Sequence, residues 1–243
     1  MRRGLGRDRL GWGGLAALIA GAGAPYVLVA ASGLRLAPAA ELSALNPGCV
    51  PLFVAAIAWM FAREPVPAAQ QAGLALILFG AVILLAANAT DFGQSSRMFG
   101  AVLSLTAAFM WAVFTVVMRR ADLDTLHAVA LVSTGSLVIY LPIYVAWRGA
   151  TLAQAPLAEL AIQTVFQGVL VTIVSLLLYG RALVLLGAAR GAAFASLVPA
   201  LSALIAIPLL SEWPSATDWL AIVLISAGVY QASGGPLRRR ATS

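Results

Sequence analysis

Long apolar runs separated by short polar knots set the pattern of this chain. A helix crossing the hydrocarbon core of a bilayer needs about 20 mostly apolar residues. Eight runs approach or meet that length, at about 11–34, 39–62, 69–88, 98–118, 125–147, 160–185, 190–210 and 216–233. Without water, backbone polar groups must be paired inside the segment itself, which favours helices for runs of this kind. The pattern therefore predicts an all-α integral membrane protein of about eight transmembrane helices. Its tightest divisions fall near residues 35–38 and 187–190, where neighbouring runs almost touch.

Two of the knots are alike. In "PLFVAAIAWMFAREPVPAAQQAGLALILFGAVILLAA", Arg63, Glu64, Pro65 and Pro67 interrupt two apolar runs, and "PALSALIAIPLLSEWPSATDWLAIVLISAGVY" repeats the Glu and Pro. Pro51 recurs as Pro199, Glu64 as Glu212 and Gly80 as Gly228, always 148 residues later. Apolar matches are cheap in this composition, but the chain has only four Glu, so the shared offset marks an internal repeat. Five runs lie between the two Glu, an odd number, so the two knots face opposite sides of the membrane. That is an inverted-topology repeat, an architecture of many secondary transporters. The later unit starts near Met98, and its counterpart on the same offset would start at position −50. The expected organisation is an incomplete first repeat of three spans over residues 1–90, a second repeat of five spans over 98–234, and a basic cytoplasmic tail over 235–243.

Composition supports the membrane reading. Apolar residues make up 62% of the chain and charged residues 10%, whereas a soluble domain carries about 25% charged residues. All fifteen basic residues are Arg, and on the alternation of spans twelve fall on one side against Arg35, Arg97 and Arg148 on the other. The positive-inside rule then puts both termini in the cytoplasm of a bacterial-type inner membrane. Trp147, Tyr144, Trp213 and Trp219 fall at the outer interface and Trp12 and Trp59 at the inner one, as aromatic belts. The basic start is followed by a run reaching Leu34, longer than a signal-peptide core, so it reads as a first span. A pI near 10.4 without aromatic-interleaved basic patches does not point to nucleic acid. One cysteine, Cys49, and one histidine, His127, allow no internal disulfide and no metal-ligand spacing, and no cofactor is expected. Cys49 reads as a small packing residue and His127 as interfacial.

Three stretches carry a family resemblance: "NPGCVPLFVAAIAWMFAREPVPAAQQAGLALILFGAVIL", "LGAARGAAFASLVPALSALIAIPLLSEWPSATDWLAIVLISAGVY" and "AAFMWAVFTVVMRR". The first two resemble the EamA-type pattern of the drug/metabolite transporter (DMT) superfamily: Pro in a span, an acidic loop, then a Gly-containing last helix. The third is similar to the helix opening the second half of such proteins. The resemblance implies two inverted five-helix units, of which the first two helices are lacking in this chain, so that the fold is an inverted-repeat EamA/DMT-like bundle with an incomplete first repeat.

Broken helices at equivalent places in two halves are the best sequence pointer to a transport site. The helix-break candidates are Pro25, Pro47, Pro51, Pro199 and Pro208, either lining a cavity or kinking helices for packing. Polar residues at helical spacing supply the substrate-path candidates. Ser43 and Asn46 share a face beside the prolines, and Tyr26 lies just past Pro25. Trp111 and Thr115 belong to a stripe in the fourth run; Gln163 and Gln167, with Ser175 and Tyr179, belong to the sixth. Such stripes mark either a water-filled path or interhelical hydrogen bonds. Glu41, at the outer end of the second run, is the coupling or gate candidate, with a solvated helix cap as the alternative. Glu64 and Glu212 read as capping residues near helix N-termini.

The expected function is a secondary membrane transporter exporting small metabolites or amphipathic organic solutes by alternating access. Its partners would be the lipid bilayer and a small-molecule substrate. Proton coupling and a homo-oligomer are left open. A non-transporting membrane subunit or a truncated remnant is the alternative. A membrane-embedded enzyme is disfavoured, because one His, one Cys and no acidic pair within a span leave little for nucleophilic or metal chemistry.

Overall fold

The computed structural model describes residues 7–63, 65–89, 95–175, 178, 181, 185 and 194–233. Among them every regular element is helical. The first apolar run forms α1 (Arg7–Ala22) and α2 (Ala24–Leu34), which break at Gly23. Pro25 sits in the first turn of α2, where its missing N–H is no loss because that donor has no helical partner anyway. The N–H of Ala24 is instead taken by Ser136 Oγ at 3.1 Å. Glycine is needed at the break, since a Cβ on Gly23 would stand 2.1 Å from that oxygen.

The remaining elements are α3 (Ala39–Ala62), α4 (Ala68–Ala89), α5 (Ser95–Arg120) and α6 (Thr125–Arg148), then a 3₁₀ turn (Gly149–Gln154) and α7 (Leu157–Gln163). From Thr164 to Val174 the helix continues in wider π turns, and α8 (Val198–Leu210) and α9 (Ala216–Ala232) close the order. Counting Leu10–Leu34 as one, six of these helices are long and apolar enough to cross a membrane; α8 and α9 are apolar but shorter. Over the described residues they coincide with the eight predicted runs. The predicted turn near residues 187–190 and the tail at 235–243 lie outside the described residues.

The expected breaks at Pro47, Pro51 and Pro208 are corrected: α3 runs through both of its prolines and α8 through Pro208. Each proline removes a single helical hydrogen bond, and the bonds of neighbouring turns hold the helix together. Pro199 lies in the first turn of α8, just after the turn at Leu197 that separates α8 from the helical residues 194–196.

The internal repeat is visible in the geometry. α3 and α8 both end in a left-handed residue, Arg63 (φ 52°) and Ser211 (φ 56°), which are 148 residues apart. Their N–H groups reach the carbonyls of Trp59 and Ile207, again counterparts. α4 and α9 start at counterparts too, Ala68 and Ala216. These two helices pack face to face: a Cβ on Gly80 would meet Ile225, and one on Gly228 would meet Ile77. Since 80 pairs with 228 and 77 with 225 in the repeat, the contact is reciprocal, as across a two-fold axis. Gly73 reaches Ala232 while Gly80 reaches Ala221, so these two helices are antiparallel, the arrangement that an inverted repeat requires.

The core lies between α3, α4, α5, α8 and α9. Ala44, Leu45 and Cys49 of α3 pack with Ile77, Ala81 and Leu84 of α4 and with Ala221, Ile222 and Ile225 of α9, while Ala101 and Ala108 of α5 and Ala203 of α8 complete it. Small residues dominate because lipid tails supply no hydrophobic drive between helices, and close backbone approach must provide the attraction. α1 and α2 pack on α5 through Gly21 against Met110 and Gly33 against Gly100. By contrast, α6 is mostly exposed, and none of the Leu157–Val174 segment is buried. Their apolar side chains are left accessible.

Candidate functional site

Three of the sequence-predicted path residues meet in mid-bundle. Asn46 of α3 donates from Nδ2 to Tyr26 Oη of α2 at 3.2 Å. The Tyr26 ring lies 5.2 Å from the Trp111 ring of α5, which in turn lies 5.3 Å from Phe114. All of them except Phe114 are partly exposed, with Trp111 at 38%, so an amide, a phenol and an indole border an accessible surface between three helices. An amide within a span needs a polar partner, and Tyr26 supplies one while keeping its own O–H free to donate.

The other candidates separate from this cluster. Ser43 Oγ donates to Ala40 O at 2.8 Å and Thr115 Oγ1 to Trp111 O at 2.8 Å, each within its own helix. Ser175 Oγ donates to Leu170 O at 2.9 Å, five residues back in the π-turn segment. Gln163, Gln167 and Ser175 stand on the exposed outer segment. Tyr179, Glu64 and the side chains of residues 7–9 fall outside the described residues or side chains.

A second constellation gathers at the end of the bundle where α3, α5 and α9 begin. Glu41 is 1% exposed, which overturns its reading as a solvated cap. Arg97 Nε of α5 donates to Glu41 Oε2 at 2.8 Å, and Asn88 Nδ2 of α4 donates to Oε1. Arg97 also stands 3.7 Å from Asp218 Oδ1 of α9. Asp218 in addition forms the capping box of α9 with Ser215. Glu212, in the loop before α9, accepts from the Ala39 N–H of α3 at 2.7 Å. It does cap a helix N-terminus, as expected, but of the helix on the other repeat unit. Both carboxylates near the start of α3 sit where the helix dipole favours negative charge.

At the opposite end, beside Arg63, a cleft of about 280 Å³ lies between α3, α4, α5 and α9. Pro51, Ala55 and Ala58 line one wall, the loop Pro65, Val66 and Pro67 another, and Gln70 and Arg119 provide the polar groups. Pro51 thus lines a cavity. Its counterpart Pro199 does not: it is fully buried, beside Gly48 and Ile225, because α8 is pressed into the small-residue core. Pro25, Pro47 and Pro208 present exposed faces. His127 is exposed, 3.6 Å from Asp124 at the start of α6. Among the described residues no group of His, Cys, Asp and Glu could hold a metal ion.

Sequence reasoning had overlooked Asn88 and had counted Arg97 only toward topology. The one available signal was an Arg on the otherwise Arg-poor side, a run away from Glu41, the acidic residue at the outer end of the second span.

Residues 98–234, more than half of the chain, match the EamA-like transporter family. Comparison with curated proteins and with solved structures gave no significant match. The chain therefore belongs to the EamA-like transporter family, whose members are multi-pass membrane transporters of the DMT type.

Proposed function

We propose that this member of the EamA-like transporter family is a secondary transporter that exports small metabolites or amphipathic organic solutes by alternating access. The observation that carries the reading is the reciprocal packing of α4 on α9, Gly80 on Ile225 and Gly228 on Ile77. Two inverted units joined along such an axis can exchange conformations, which turns a pathway open at one end into one open at the other. In this reading Tyr26, Asn46 and Trp111 form the solute contact, and the cleft at Pro51 and Arg119 is the mouth. The path is aromatic and polar rather than charged, which suits neutral or zwitterionic solutes with an apolar part. The Arg63 and Arg119 end faces the cytoplasm of the inner membrane and the Glu41 end faces outside, by the excess of Arg on the first. The first repeat, residues 1–90, contributes three spans, and residues 98–234 contribute five.

The test is flux into proteoliposomes of an amphipathic fluorescent dye and of a panel of neutral and zwitterionic metabolites. Saturable flux that falls at least tenfold in Asn46→Leu and Trp111→Leu, at unchanged protein level, is the expected result. Normal flux in both variants removes the site. No saturable flux with any solute would favour a non-transporting subunit or remnant.

A further inference from the structure

Two separate polar ties fasten the first turn of α3 to elements of the later unit. One joins Glu41 to Arg97 of α5 at 2.8 Å, and the other joins the Ala39 N–H to Glu212 of the α8–α9 loop at 2.7 Å. Arg97 is in addition held toward α9 by Asp218 at 3.7 Å. Asn88 from α4 occupies the second oxygen of Glu41, so both carboxylate oxygens are taken, and the residue is 1% exposed. The opposite end of the same helix has no such tie among the described residues: Pro51, Ala55 and Ala58 of α3 border the 280 Å³ cleft. α3 is thus clamped at one end and bordered by a cavity at the other.

We propose that Glu41, Arg97, Asp218 and Glu212 form a latch that keeps the bundle closed at the Glu41 end, with Arg97 as its hub and all four as positioning residues. The inference rests on the alternating-access transport proposed above. Opening at this end requires α3 to part from α5 and from the α8–α9 loop, and both contacts there are charge-assisted hydrogen bonds, the strong kind. The closed state is therefore favoured by interactions that the open state lacks, which is the condition for a latch to bias a two-state equilibrium. Arg97 is partly exposed, at 25% of its side chain, whereas Glu41 and Asp218 are buried. Release of Arg97 parts α5 from Glu41 and from Asp218 together, so both fastenings on the α5 side go in one event.

The experiment uses the full chain in membranes, with Cys49→Ala as background and one probe cysteine at a time. Ser43→Cys reports the Glu41 end, two residues beyond Glu41 on α3, and Ala58→Cys reports the cleft. A membrane-impermeant thiol reagent is applied to each face. Arg97→Gln should raise labelling of Ser43→Cys about tenfold and lower that of Ala58→Cys by a similar factor. Arg97→Lys, which keeps the charge, should fall between Arg97→Gln and the parent. Glu212→Gln should act in the same directions to a smaller extent, and it carries the test if Arg97→Gln does not fold. A rise at both probes means that the variant has merely loosened the bundle, and it overturns the latch, as does no change at either. Opposite changes without saturable flux would leave the latch standing and sink transport. Saturable flux with unmoved labelling would sink the latch alone.

Discussion

Glu212 accepts a hydrogen bond from the backbone N–H of Ala39, 173 residues earlier in the chain and on the other repeat unit. The carboxylate of one unit thus caps the helix of the other. Replacing it by Ala removes both the acceptor and the charge at a helix N-terminus and should cost about 1–2 kcal/mol. Glu212→Gln keeps an acceptor and should cost less. Thermal unfolding in detergent separates the two, and equal losses would mean that charge rather than hydrogen bonding holds the contact.

Glu41 is buried with one ionic and one amide partner. Glu41→Ala leaves Arg97 and Asn88 facing an empty site and should cost about 3 kcal/mol, since removing one member of a buried pair strands the other. Arg97→Ala should cost less, because its side chain is a quarter exposed and water can replace part of the pairing. A double-mutant cycle on stability should return a coupling of roughly 1–3 kcal/mol, and a coupling near zero would mean that the pair contributes no net stability.

Gly228 allows a close backbone contact between α4 and α9. A Cβ there would stand 2.6 Å from the Gly73 carbonyl oxygen and 2.8 Å from the Ile77 nitrogen, both backbone atoms that cannot yield. Gly228→Ala should destabilise by about 1–3 kcal/mol. At Gly80 the nearest atom is Cγ1 of the Ile225 side chain at 2.7 Å and the nearest backbone atom, the Ala221 carbonyl oxygen, is at 3.0 Å, so the backbone clash is milder and Gly80→Ala should cost less. Retention of monodisperse protein after graded heating would rank the two.

The break between α1 and α2 depends on one hydroxyl. Ser136→Ala leaves the Ala24 N–H without its partner inside the bundle and should cost about 1–3 kcal/mol. Gly23→Ala should be more damaging, because the methyl group would displace the same hydroxyl and would also clash with the Ile19 carbonyl oxygen. If Ser136→Ala is neutral in thermal unfolding, water or another carbonyl replaces Ser136 at that break.

Tyr26→Phe removes the acceptor for Asn46 and leaves the ring contact with Trp111. Hydrogen bonds between membrane helices contribute about 0.6 kcal/mol on average, so stability should change little. Flux should change more, since Asn46 then turns a free amide toward the path. An unaltered Km and maximal rate in this variant would count against a role for Tyr26 in solute contact.

Much of the architecture could be read along the chain. The apolar runs located the helices because their length is set by bilayer thickness, a one-dimensional constraint. The repeat could be read because Glu is scarce, and the matching left-handed ends at Arg63 and Ser211 show how literally the unit was copied. Tyr26, Asn46 and Trp111 were individually visible as polar or amphipathic groups in apolar runs. Their meeting was not, for they come from three different helices. Pro47, Pro51 and Pro208 misled, since helix continuity depends on the bonds retained around a proline and on what packs over it, whereas Pro25 and Pro199 do follow a break. Pro51 lines a cleft and Pro199 is buried, although the two occupy the same place in the repeat.

What the sequence by itself determined is the membrane-spanning helical design, the 148-residue spacing of matching residues and the family to which the chain belongs, all properties of composition, length and spacing. Only the tertiary structure decided which charges meet. Glu41 finds Asn88 and Arg97 at 47 and 56 residues' distance, and Glu212 finds the start of α3 rather than the helix beside it. The physical reason is that a buried charge takes whatever partner the packed helices bring within about 3 Å. That distance is settled by the small-residue contacts between helices, such as Gly80 with Ile225 and Gly228 with Ile77, which hydropathy along the chain does not record.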